Sequence, residues 1–158
     1  MGFWSCVKYL AGTGAAGFVL GRVLPKDLFL CDRFPYKEYL CERGGRIYEK
    51  LRIKAWQNRV PDMSKILPSL VPPKQFSRGD THRLPNMIQE TCVAELVHGL
   101  LCLSGFACLK LWPGVGGAVI ALLNLFVNLA YVAIQRYNRP RLLRLLRNTE
   151  KRYPSCAC

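Results

Sequence analysis

Glu90-Thr91-Cys92-Val93-Ala94-Glu95-Leu96-Val97-His98 opens an otherwise apolar segment that continues to Trp112. Ionisable groups at membrane depth are costly, and they mark functional sites by default. On a helix Glu95 and His98 are i and i+3 and share a face. Glu90 lies a little over two turns from His98 and shares that side more loosely. Two carboxylates and an imidazole therefore belong to the first half of one predicted membrane helix.

The composition on either side fits a membrane chain. Of 158 residues, 51% are hydrophobic, yet the net charge is +13. The apolar residues gather in three windows, Phe3–Leu24, Thr91–Trp112 and Gly114–Gln135. Each approaches the roughly 20 residues that cross a bilayer. The basic residues lie between and after them: of 23, 14 fall between Arg22 and Arg83 and 7 follow Ile134. A nucleic-acid binder accounts for the charge but not for the apolar runs, so no nucleic-acid partner is expected. The pattern predicts an all-α, polytopic membrane protein with about three transmembrane helices plus an interfacial amphipathic helix. It reads as a single membrane domain over residues 1–158, with an interfacial loop over 25–90 and a basic tail over 136–158. Lys and Arg concentrate in cytoplasmic loops. The expectation is a multi-pass cell-membrane protein with its N-terminus outside and its basic loop and tail cytoplasmic.

The eight cysteines are expected as free thiols, because the loop and tail face a reducing compartment. Gly17-x-x-x-Gly21 has the small-residue spacing that lets membrane helices approach closely. Pro25 and Pro35 argue against one continuous helix over residues 25–39. From Arg43 to Trp56, Arg46, Lys50 and Lys54 recur every four residues opposite Ile47, Tyr48, Leu51 and Ala55. This predicts an amphipathic helix in the membrane interface, opened by Gly44-Gly45. Its cations would attract a phosphate-bearing donor. The proline-rich Val60–Leu84 stretch reads as a loop lying against the membrane face or folded over the site, with His82 on the surface. Asn86-x-x-Gln89 has the spacing of a capping box before the second span.

The third window carries Asn124, Asn128, Tyr131 and Gln135 as a polar stripe down one helical face. The Pro113-Gly114 turn makes the second and third spans antiparallel neighbours. His98 lies roughly 12 Å from Glu90 along its helix, and Asn128 roughly 10 Å from Gln135. Their polar groups should therefore meet at similar depth. Arg136, Asn138 and Arg139 stand at the mouth of that slot, where arginine suits bidentate phosphate binding. Arg141, Arg144 and Arg147 follow, with leucines between them.

Three blocks also resemble one family. They are Gly45-Arg46-Ile47-Tyr48-Glu49-Lys50-Leu51-Arg52-Ile53-Lys54-Ala55-Trp56 followed by Pro61-Asp62, then Glu90 to His98, then Gln135-Arg136-Tyr137-Asn138-Arg139 with the leucine-arginine run behind it. Together they resemble the glycosyl-4,4'-diaponeurosporenoate acyltransferase family, small bacterial membrane proteins of staphyloxanthin-type carotenoid synthesis. The resemblance implies transfer of a fatty acyl group to a sugar hydroxyl of a glycosylated lipid or carotenoid acceptor. It implies no resident cofactor, with acyl-CoA as co-substrate.

The residues permit that chemistry. A hydroxyl needs a base, and histidine titrates in the useful range. His98 is the candidate base, with Glu95 or Glu90 orienting its ring. Asn128 or a nearby arginine would donate to the carbonyl oxygen as it gains charge. Lys54, Arg136 and Arg139 would hold the phosphates of acyl-CoA, and Trp56, Gln135 and Asn138 complete the expected substrate-binding set. Two other readings stand beside it. Glu95-x-x-His98 is half of a di-iron helix motif, which would make a metal-dependent membrane enzyme. Its second half is missing, so no metal ligands are assigned. A non-catalytic adaptor binding anionic lipid or a partner enzyme would use the basic helices alone. Whether one chain encloses the site or an oligomer is needed stays open.

Overall fold

A computed structural model of the chain describes residues 2–60 and 83–152. Most of the expected Val60–Leu84 loop, His82 and the terminal Cys156-Ala157-Cys158 lie outside them. The described residues form helices and turns, in the order α1 (Phe3–Val23), α2 (Arg46–Lys50), α3 (Ile53–Trp56), α4 (Leu84–Ser104), α5 (Cys108–Leu111) and α6 (Val115–Arg152). A single 3-10 turn, Gly105–Ala107, joins α4 to α5, so the pair behaves as one long rod.

Two of these rods are long and apolar enough to cross a membrane, Leu84–Leu111 and Val115–Lys151. They pack antiparallel and form the largest interface in the molecule. The turn between them is the expected one: Gly114 takes φ 101°, a left-handed conformation that glycine adopts freely. Helix α1 has 21 residues, enough to span, and carries Lys8 and Arg22 along it. It lies lengthwise against α4. Gly17 faces Val97 and Leu101, and Gly21 faces Val93 and Val97. The small-residue spacing thus serves a helix contact.

Helix α1 runs opposite to α4. Tyr9 donates to the Ser104 carbonyl at 3.2 Å, and the Cys6 thiol lies 3.9 Å from the Cys108 carbonyl. One apolar cluster, built on Cys6, Cys108 and Ala121, closes the end near the Gly114 turn. Phe3, Trp4 and Trp112 stack there edge to face. The opposite end is closed by Phe29, Cys92, Val93 and Val97, and it carries Arg22, Lys26 and the basic part of α6. Large exposed apolar side chains, among them Leu122, Leu123 and Phe126, line the outer side of α6. That is the surface a bilayer covers.

Two expectations are corrected. The second span has no capping box at Asn86: the helix already begins at Leu84, with Pro85 in its first turn, and Arg83 is its N-cap with no side-chain cap bond. Proline suits that position because its missing N–H has no intrahelical partner to lose. The amphipathic segment is two short helices rather than one. Arg52 stands in the left-handed region, φ 50° and ψ 36°, and separates α2 from α3. The entry at Gly44-Gly45, with φ 72° and 86°, is as expected. The basic tail is continuous with the third span as one helix. Helix α6 has 38 residues and is about 57 Å long, against roughly 30 Å of hydrocarbon. Its basic half therefore projects well beyond any bilayer that covers its apolar half.

Candidate active site between the long helices

The antiparallel register of α4 and α6 brings together polar groups that lie far apart in sequence. Deepest is Asn124, whose amide donates to the Leu101 carbonyl at 2.8 Å. It approaches α4 where Gly105 leaves room; a Cβ there would meet the Asn124 amide nitrogen at 2.2 Å. One turn along, the Asn128 amide donates to the Asn124 backbone carbonyl at 2.9 Å and to its side-chain oxygen at 3.1 Å. The Asn128 oxygen lies 2.9 Å from His98 Nδ1. The ring of His98 stacks flat on Tyr131, with centroids 4.4 Å apart and planes within 3°. The expected meeting of His98 and Asn128 is thus a direct contact.

This relay has a direction. The Asn124 carbonyl can only accept, so the NH2 of Asn128 points at it and the oxygen of Asn128 points at His98. Nδ1 then donates to the Asn128 oxygen. Backbone geometry at Leu101 and Asn124 sets the tautomer of the imidazole through an amide rather than a carboxylate.

Neither glutamate takes that role. Glu95, 8% exposed, has both oxygens engaged by arginines. Its Oε1 accepts from Arg136 Nε at 2.8 Å, and its Oε2 from Arg139 Nη2 at 2.5 Å. Glu90 pairs with Lys26 at 2.6 Å on a half-exposed edge. The orienting carboxylate expected for His98 is replaced, because two guanidinium groups on α6, the buried Arg139 and the partly buried Arg136, claim the nearest acid.

Arg136 and Arg139 accordingly organise the end of the slot. Arg136 donates also to Glu42 Oε1 at 2.8 Å and to the Pro35 carbonyl at 2.7 Å, and it stacks over Tyr39. Arg139 donates to the Thr91 hydroxyl at 2.9 Å and the Tyr36 carbonyl at 2.7 Å. The irregular segment after α1 is thereby tied to both long helices. Glu42 completes the network, accepting from the Tyr39 N–H at 2.9 Å and from the Tyr48 hydroxyl at 2.5 Å. Burial pushes the Glu42 carboxyl up, but hydrogen bonds from Tyr48, Arg136 and the backbone outweigh it and hold the group below the usual carboxylate range. Burial, and then the Glu42 carboxylate beside it, push the Tyr48 phenol well above its ordinary value.

Sequence reading missed Glu42, Tyr48 and the role of Thr91. A signal existed for Glu42: buried arginines need acids, and few acids lie near Gly44-Gly45. Gln135 and Asn138 are half-buried on α6. Lys54 is exposed and Trp56 half-buried on α3, where the Trp56 indole donates to the Leu51 carbonyl at 3.0 Å. Those two stand apart from His98, beside the Tyr137–Arg141 end of α6. Among the described residues no three His, Cys, Asp or Glu side chains gather into a metal-binding set, and Glu95 is turned to arginine rather than toward His98.

Two long helices apolar enough to cross a membrane, with an imidazole held among polar groups between them, define an all-helical protein of membrane type. The chain belongs to the glycosyl-4,4'-diaponeurosporenoate acyltransferase family, whose model matches residues 32–148. The enzyme of that name from Staphylococcus aureus strain MRSA252 is 28% identical over 138 residues, covering 84% of this chain and 81% of the relative. The one from strain N315 is 27% identical over the same share. No solved structure matches the chain.

Proposed function

We propose that this protein transfers a fatty acyl group from acyl-CoA to a sugar hydroxyl of a glycosylated carotenoid-type lipid, with His98 as general base. The relatives' name supplies the reaction class and the acceptor, a glycosyl-diaponeurosporenoate. The observation that supports the catalytic reading is the amide relay, which holds the His98 ring through Nδ1 between the two long helices. Nε2 takes the proton of the acceptor hydroxyl as its oxygen attacks the thioester carbonyl. The tetrahedral intermediate collapses, the C–S bond breaks, and the imidazolium returns the proton to the departing thiolate. Asn128 is a positioning residue that holds the ring in the productive tautomer. Tyr131 fixes the ring plane. The acyl chain lies in the apolar space beside α4 and α6, in a cell membrane, with the Arg136 end cytoplasmic.

The test is acyl transfer from labelled acyl-CoA to a glycosylated carotenoid by the protein purified in detergent. His98→Ala should lower kcat by about 10²–10⁴ with unchanged helicity. Asn128→Ala should lower kcat less and shift its pH profile, since the tautomer is no longer imposed. Full turnover in His98→Ala would remove the base from the mechanism. No turnover in the parent would leave a non-catalytic adaptor with a basic membrane face.

A further inference from the structure

Most of the arginines at the slot are consumed by the protein itself, as Arg136 and Arg139 show. A different set is not. A cleft of about 520 Å³ opens between the α2–α3 break and α6, lined by Glu49, Arg52, Lys54, Ala55, Tyr137 and Arg141. Three of these side chains are cations and one is an acid. Among the described residues neither Arg52, Lys54 nor Arg141 has a carboxylate partner; Arg141 rests on the Tyr137 ring at 4.3 Å. The cations arrive from two distant parts of the chain, Arg52 and Lys54 at the α2–α3 break and Arg141 on α6, so no single amphipathic stripe explains their convergence. One is brought there by strain. Arg52 holds a left-handed conformation at φ 50°, which a residue with a Cβ adopts only at a cost and which recurs at ligand sites. A cleft of this size falls in the range of small-molecule sites.

We propose that this cleft binds the phosphate groups of a CoA thioester through Arg52, Lys54 and Arg141. Guanidinium forks suit phosphate oxygens bidentately, and three unneutralised cations suit a ligand carrying several phosphate charges. Position agrees with the reaction. Tyr137 and Arg141 lie nine and thirteen residues beyond Asn128 on one helix, roughly 14–20 Å from the imidazole relay. That is a span for an extended pantetheine arm, which carries the thioester away from the nucleotide. The nucleotide stays in the polar layer beyond the bilayer while the acyl carbonyl reaches the slot. The proposal rests on the acyl-transfer reading for the identity of the donor, and on the cleft alone for its phosphate chemistry.

Binding of CoA and of dephospho-CoA to the full chain in detergent, by titration calorimetry, tests it without turnover. CoA should bind the parent several-fold more tightly than dephospho-CoA. The double variant Arg52→Gln/Arg141→Gln should lose at least tenfold in CoA affinity and no longer distinguish the two ligands. Arg147→Gln, which removes one exposed charge from the same helix outside the cleft, should bind like the parent. Equal CoA affinity in parent and double variant would overturn the pocket and leave the acyl-transfer reading standing. Arg52- and Arg141-dependent CoA binding in a protein that transfers no acyl group would do the reverse. Phosphate chemistry has a second source in lipid headgroups. If the parent ignores CoA but binds phosphatidylglycerol vesicles over phosphatidylcholine vesicles through these residues, the CoA assignment fails and the cleft is a headgroup site.

Discussion

Arg136 and Arg139 carry positive charge into the junction of the helices, and Glu95 and Glu42 answer it. Such a network costs desolvation, but removing one member leaves a buried charge uncompensated, which costs more than the network itself. Glu42 makes the consequence measurable because its carboxyl is held below the usual range. A depressed carboxyl contributes stability that is present above its unfolded pKa and fades as pH falls through the folded value. The protein should therefore lose thermal stability on acidification below the ordinary carboxylate range, and Glu42→Gln should flatten that limb. At pH 7 the same variant should be about 2 kcal/mol less stable, as expected for lost hydrogen bonds to a charged group. Thermal unfolding in detergent across pH checks both. The Tyr48 phenol has the opposite sign: raised in the fold, it supports stability below the ordinary tyrosine range, and that support disappears only in strong alkali.

At the scale of elements, the interface of α4 and α6 depends on close approach. Asn124 reaches the Leu101 carbonyl only because Gly105 has no side chain. Gly105→Ala should push Asn124 aside, break the relay at its base and cost about 1–3 kcal/mol in overpacking. It should also lower kcat with little change in KM, since it acts on the imidazole through two amides. A variant with the parent's melting temperature and kcat would show that the relay is not anchored there. The α2–α3 break makes a different use of backbone. An unbroken amphipathic helix would align Arg46, Lys50 and Lys54 on one face. The left-handed Arg52 turns Lys54 toward α6 instead, so the basic face is divided between membrane surface and cleft.

For the whole molecule, α1, α4 and α6 alternate in direction, which places the chain start beside the Gly114 turn and every strongly basic segment at the other end. If the basic segments stay cytoplasmic, as such segments do, the exposed Cys41 should lie on the inner side. A protein retaining only that cysteine should react with a membrane-impermeant maleimide in inside-out vesicles and not in intact cells. Labelling from outside would invert the topology. Cys6, Cys92, Cys102 and Cys108 are buried and should resist the reagent on either side until the protein is unfolded.

The helical class, the two long spans, the turn at Pro113-Gly114 and the meeting of His98 with Asn128 were all readable in order and spacing, because a helix converts sequence separation directly into depth and face. The glycine spacing of α1 likewise allowed a close helix contact, and the structure names α4 as the partner. What spacing cannot report is competition. Glu95 stands one turn from His98 and looked like its partner, yet two arginines some forty residues away engage both of its oxygens. Nor could periodicity reveal the break at Arg52, since a single left-handed residue leaves the pattern of side chains intact while turning the chain. Local sequence determined which groups lie at which depth; only the packed structure decided which of several charged neighbours each would bind, because that choice depends on distances across helices.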